Sequence, residues 1–251
     1  MEFDLEVLLI VLPFIFVGGF VDAIAGGGGI VNVIGFMISG VPMHMILGTN
    51  KVQALFGTSV ATYNYVSKGH FKKDFVIFSF LGAAIGSLIG AQIASITSQE
   101  TLRWLMTIIL PIVAIIMISG IKPNISLIEE SKKKIYIVTL IIGLVIGFYD
   151  GMIGPGTGTF LIIAFSMCGL SLLDANGNAK AVNLASNIMA GALFLIKGKV
   201  IVWLVIPCII TNVIANYIGS HLAIKNGDKI VKPIIVSVLV LLFIKTIIDI
   251  I

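Results

Sequence analysis

An all-α polytopic membrane protein, made of two inverted-topology repeats of about five apolar segments each, is the architecture expected of this chain. Three observations lead there. Of its 251 residues 58% are hydrophobic and only 11% charged, with a mean hydropathy of +1.14. A soluble domain carries roughly 25% charged residues, and one core of this size could not hide so many apolar side chains from water. The second observation is a series of long apolar runs separated by short loops that hold nearly all the lysines. The third is an internal repetition: GFVDAIAGGGG at 19–29 lies over GFYDGMIGPGTG at 147–158.

The runs follow in order. Val7 to Ala25 ends in the first glycine loop, and Ile30 to Ser39 is short. Met45 to Ser67, Phe75 to Ile96 and Trp104 to Ile121 complete the first series. After the polar stretch KPNISLIEESKKK come Ile135 to Tyr149, a short Thr159 to Leu170, Ala181 to Ile196, Val200 to Ile224, and Ile230 onward. Crossing a hydrocarbon layer of ~30 Å takes about 20 helical residues at ~1.5 Å each. The two short runs reach only about 15–18 Å. They are expected as discontinuous helices, or as hairpins with the run before them. Lipid satisfies no backbone polar group, so the chain should be almost wholly helical and the glycine loops sheltered by protein. Pro111 and Pro207 read as kinks.

The repeat extends past the loops. Asp22 matches Asp150, Gly26 matches Gly154 and Gly28 matches Gly156. After a one-residue shift Lys51 matches Lys180, Ala61 matches Ala190, and Lys68-Gly69 matches Lys197-Gly198. The expected organisation is an N-terminal repeat over 1–121, a cytoplasmic linker over 122–134 and a C-terminal repeat over 135–251. Five runs per half is odd, so the halves should be inverted. The positive-inside rule then puts the loops with Lys68, Lys72 and Lys73, with Lys122 and Lys132 to Lys134, and with Lys225, Lys229 and Lys232 in the cytoplasm. The acidic N-terminus (Glu2, Asp4, Glu6), which lacks a signal-peptide n-region, and the C-terminus fall outside. Lys197 and Lys199 lie opposite the other lysines, as inversion of Lys68 requires.

Most other functions are excluded by what the chain holds. The net charge of +4 comes from clusters between apolar runs, not from a basic surface for nucleic acid. Cys168 and Cys208 make no disulfide framework, and His44, His70 and His221 are too far apart for ligand spacing. No HExxH, GxSxG or Cys/His pair marks an enzyme, and neither a metal nor a cofactor is expected. Almost every charge lies in a loop except Asp22, Asp150, Lys51 and Lys180, with Asp174 nearby. A charged side chain at membrane depth is costly and calls for a partner or a task.

For the aspartates two readings stand: helix N-caps beside glycine turns, or groups lining a buried cavity. Burial favours the protonated form of a carboxyl, so Asp22 and Asp150 are candidates for proton coupling. The loops Gly26 to Gly29 and Gly154 to Gly158 read either as close packing or as breaks of the kind that mark transporter substrate sites near the midplane. In the second case the short helices would aim free amides and a partial positive charge at an anion. Lys51, Thr58 and Thr62 share one helical face, and so do Lys180, Asn183 and Asn187. These stripes read as interhelical hydrogen bonding, with the lysines either snorkelling or binding. Gln92 and the Asn212/Asn216 pair read as packing contacts.

Taken together, GGFVDAIAGGGG, GVPMHMILGTNKVQALFGTSVATYNYVSKG, GFYDGMIGPGTGTFL and NAKAVNLASNIMAGALFLIKGKV resemble the sulfite exporter TauE/SafE family of membrane transporters over nearly the whole chain. The resemblance implies a multi-pass protein of the cell membrane that moves small sulfur-containing anions such as sulfite or sulfoacetate, usually outward. One departure is IVNVIGFM after the first glycine loop, where many members carry a proline; it puts the shape of that half-site in doubt. The expected anion site comprises the amides of Gly27, Gly28, Gly29, Gly156, Thr157 and Gly158, with Lys51, Thr58, Lys180, Asn183 and Asn187. The alternative is a carrier or channel for a carboxylate or a metal cation. Beyond the lipid bilayer and the substrate no partner is implied, and the oligomeric state, a homodimer among the options, stays open.

Overall fold

The computed structural model describes residues 4–102, 104–105, 131–227 and 229–230. The fifth apolar run beyond Leu105, with Pro111, the linker up to 130, and the final run from 231 onward lie outside these. Among the described residues all regular structure is helical. The helices are α1 (Leu5–Ala25), α2 (Gly29–Ile38), α3 (Met43–Ser67), α4 (Lys73–Ile96), α5 (Lys132–Met152), α6 (Thr157–Met167), α7 (Leu172–Ile196) and α8 (Val202–Asn226). Helices of 21, 10, 25 and 24 residues are followed by helices of 21, 11, 25 and 25.

Five helices, α1, α4, α5, α7 and α8, are long and apolar enough to cross a membrane. The chain is therefore a multi-pass membrane protein. Leu81, Ile85, Ile141, Val145, Ile206 and Ile210 leave their side chains on the outside, where lipid is the medium that tolerates them. α3 is as long but too polar to be among the five, because it buries Thr49, Asn50, Lys51, Gln53 and Thr58 inside the protein. α7 begins at Leu172, nine residues before the expected Ala181. Its polar first turns are helical because Asn176 and Asn178 find partners inside. Asn176 donates to the Ile24 carbonyl (2.6 Å) and to Tyr65 Oη (2.7 Å).

Contact registers give the helix directions. On α4, a methyl at Gly82, Gly86 or Gly90 would run into the main chain at Leu140, Leu144 or Phe148 of α5. Conversely, Gly143, Gly147 and Gly151 face Ser79, Ala83 and Ser87. The numbers rise together, so α4 and α5 are parallel and closely seated, a small-residue contact that suits lipid, where close packing drives association. Lys72 with Asn178 and Ser95 with Lys197 set α7 parallel to α4. Gly19 with Ala215 and Ala23 with Gly219 set α1 parallel to α8, and Gln53 with Asn212 and Asn64 with Ser220 set α3 parallel to α8. Lys51 with Asn187 and Tyr65 with Asn176 set α3 antiparallel to α7.

These contacts sort the helices into two bundles that differ from the two halves of the sequence. α1, α2, α3 and α8 pack together, as do α4, α5, α6 and α7, so each half lends its last described long helix to the other bundle. α3 against α7 forms the main seam between the bundles. Matched positions hold each bundle together. Thr49 Oγ1 accepts the N–H of Ile201 at 3.1 Å, and Asn178 Oδ1 accepts the N–H of Lys72 at 2.8 Å. Each supplies a side-chain acceptor to the residue that opens the fourth helix, the kind of contact that fixes a helix start.

Candidate functional site

Two chain breaks meet at the seam. α1 ends at Gly26, whose φ of 70° is the left-handed region that only glycine enters freely. Gly156 opens α6 with a φ of 88°. Neither α2 nor α6 has a side-chain cap, so their first-turn amides have no partner inside the helix; those of Ile30 and of Thr157, an expected anion donor, are taken by the loop carbonyls of Gly27 (3.1 Å) and Gly154 (3.2 Å). Thr159 Oγ1 of one break donates to the Ala25 carbonyl of the other at 3.1 Å. A methyl on Gly158 would stand 2.8 Å from Gly26 Cα, and one on Gly26 would strike the main chain at Gly158 and Thr159. Only bare backbone allows this approach.

Beside the crossing is a cavity of about 40 Å³. Against roughly 10–15 Å³ for one water, it has room for about three. From the expected set it is lined by Asp22, Gly27, Gly29, Lys51 and Thr58, and across the seam by Asp150, Gly156, Thr157, Gly158, Asn183 and Asn187. Gly28 and Lys180 stand off the wall. Gly28 faces α1, where a methyl would meet Gly18, and Lys180 sits behind Asp22. Gly154 of the second glycine loop also lines the cavity, as do Asn32, Asn50, Ala54 and Asn212, which were not foreseen. Ala54 is the repeat partner of Asn183, a signal the sequence did carry. Asn212, read as packing, donates to Gln53, whose amide holds Asn50 at 2.8 Å.

The buried charges pair across the seam, each lysine with the aspartate of the other half. Lys51 Nζ is 2.6 Å from Asp150 Oδ1, and Lys180 Nζ is 2.6 Å from Asp22 Oδ2. Both aspartates sit inside helices, Asp22 in the last turn of α1 and Asp150 near the end of α5, so neither is an N-cap. The lysines are 5% and 1% exposed and do not snorkel. The two pairs are unequal. Asp150 also accepts from Ser186 Oγ and from Asn183 Nδ2 (3.4 Å), and its side chain is 3% exposed. Asp22 has Lys180 as its side-chain partner and is 21% exposed. Between the pairs, Asn187 takes the Lys51 ammonium (3.3 Å), donates to Asn183 Oδ1 (2.9 Å) and meets its repeat partner Thr58 at 3.3 Å. Among the described residues, no three His, Cys, Asp or Glu side chains converge as a metal site would need.

The family model described as Sulfite exporter TauE/SafE matches residues 11–246. The chain is 35% identical to "Probable membrane transporter protein ORF9" of Sinorhizobium sp, over 98% of this chain and 95% of that one. It is 32% identical to "Probable membrane transporter protein YfcA" of Escherichia coli K12, over 92% and 86%. A "Probable membrane transporter protein" of Haemophilus influenzae is 30% identical over 94% and 92%. No solved structure matches.

Proposed function

The chain belongs to the sulfite exporter TauE/SafE family, and from that premise we propose that it carries small sulfur-containing anions, sulfite before larger organosulfonates, out across the cell membrane. The observation that carries this reading is the crossing of two uncapped glycine breaks beside a small polar cavity with Lys51 on its wall. Helix N-termini and bare amides favour negative charge, and asparagine amides supply further donors. The cavity volume of about 40 Å³ favours the smallest oxyanion; sulfoacetate needs the breaks to draw apart.

The ion pairs suggest how a proton enters the cycle. With Asp150 ionised, Lys51 is already matched. A proton on Asp150 Oδ1 breaks the pair and leaves the ammonium to the incoming anion; loss of that proton restores the pair and expels the cargo. On the other side Asp22 lines the cavity and Lys180 stands behind it, so a proton on Asp22 takes a negative charge off the wall without bringing a second ammonium to the anion. This is a proton-linked alternating-access cycle between inverted repeats, an inversion supported by the opposed directions of α3 and α7. The moving bodies are the two bundles, since the capping contacts lie within them and the ion pairs between them. Energetics permit export without a coupling ion: moving one charge through 100 mV is worth about 2.3 kcal/mol, so a dianion gains about 4.6 kcal/mol on leaving a negative interior.

Counterflow of labelled sulfite into liposomes holding purified protein tests the assignment. Sulfite, and more slowly sulfoacetate, should exchange at rates that change with pH, while acetate and Ni²⁺ should not compete. Exchange of a carboxylate or a cation in place of any sulfur anion overturns it.

A further inference from the structure

A second cavity, of about 470 Å³, lies away from the glycine crossing, where the N-terminal ends of the parallel helices α4, α5 and α7 come together. Its apolar walls are Phe71, Phe75, Ile135 and Leu170, and Lys72 and Lys73 stand exposed at its rim. Lys132 and Lys133 add positive charge one turn before Ile135. Two acids, Asp74 and Asp174, share the rim, against the four lysines Lys72, Lys73, Lys132 and Lys133. Asp174 is 2.9 Å from His70 Nδ1 and 4.0 Å from Lys72 Nζ, while Asp74 accepts from Tyr136 Oη at 3.1 Å. Below the rim the same two helices expose Ile77 and Leu81 on α4, and Ile137 and Ile141 on α5.

We propose that this cavity holds the headgroup of an anionic phospholipid, its phosphate at Lys72 and Lys73 and its acyl chains along the apolar faces of α4 and α5. The combination favours a lipid over a free ion: four of the ten lining residues are large and apolar, and the exposed apolar residues begin within two turns of the charges. Basic pockets between spanning helices on the lysine-rich face suit such headgroups. The site is separate from the proposed transport path and stands whatever the cargo is.

The test uses the purified full-length protein. Retention of phosphatidylglycerol against phosphatidylcholine is measured after delipidation and exchange, alongside the double variant Lys72→Gln/Lys73→Gln. Removing each lysine should lower the preference about fivefold. Leu170→Trp, which fills the cavity without touching charge, should lower it too. Lys197→Gln/Lys199→Gln, at the opposite face, should leave it unchanged. Equal preference in the wild type and the Lys72/Lys73 variant overturns the proposal, as does an equal fall in both lysine doubles, which would mean diffuse surface charge. Displacement of the lipid by millimolar inorganic phosphate would identify a free-anion site instead and also overturn it.

Discussion

Replacing Lys51 with methionine isolates the physics of the crossed ion pairs. The change strands Asp150, 2% exposed, with the hydrogen bonds of Ser186 and Asn183 but no counter-charge. Removing one partner of a buried pair costs about 3–5 kcal/mol, whereas replacing both is often close to neutral. Lys51→Met and Asp150→Asn should therefore each destabilise by about 3–5 kcal/mol, and the double variant by much less than their sum, the coupling being of similar size. The second pair should behave unevenly. Asp22→Asn strands Lys180 at 1% exposure and should be as severe. Lys180→Met leaves Asp22, a fifth exposed, with access to the cavity, and should cost only about 1–3 kcal/mol. Reversible unfolding in mixed micelles, read by circular dichroism, gives all five values. The reasoning is refuted if the Lys51/Asp150 double variant loses the sum of its singles, or if Lys180→Met is as damaging as Lys51→Met.

Further outcomes follow from single contacts. Gly86→Leu should force α4 from α5, because a side chain there meets the main chain of Leu144 and Phe148; a fall of several kcal/mol in unfolding free energy, of the size seen for overpacking or worse (about 1–3 kcal/mol or more), checks it. Thr49→Val and Asn178→Leu remove matched acceptors from the starts of α8 and α4 and should each cost about 0.5–2 kcal/mol, measurable as a lower unfolding midpoint. Single cysteines placed at Lys68 and Lys197 should react with impermeant maleimide from opposite sides of sealed vesicles, since α3 and α7 run antiparallel; labelling from one side contradicts that arrangement.

Much of this was legible in the sequence because polar residues in a lipid-facing chain are few and conspicuous. Asp22, Asp150, Lys51 and Lys180 stood out against apolar runs, and the doubled glycine loops pointed to two breaks that meet. What was illegible is long-range. Nothing in the order of residues says that Lys51 reaches Asp150 rather than Asp22, because Asp22 is the nearer of the two along the chain and the pairing joins the more distant one. The exchange of α4 and α8 between bundles is hidden for the same reason. So is the place of Asn212 on the cavity wall, which depends on α8 lying beside α3. The stretch LLDANGNA lay outside the apolar run expected from Ala181 because its polarity is that of a surface; it is helix because Asn176 satisfies the last carbonyls of α1. The capping reading of the aspartates failed because α1 runs on to Ala25 and α5 to Met152, leaving Gly28 and Gly156 as the capping positions.

Equilibrium binding of labelled sulfite to the purified protein, compared between wild type, Gly158→Ala and Gly191→Ala, bears hardest on the meeting of the two breaks. A methyl at Gly158 pushes Gly26 away, while one at Gly191 meets Val52 at an ordinary 3.6 Å. Saturable binding that disappears with Gly158→Ala and survives Gly191→Ala is expected. Sulfite binding unchanged by Gly158→Ala would mean that the crossing of the glycine breaks is not where the anion is held.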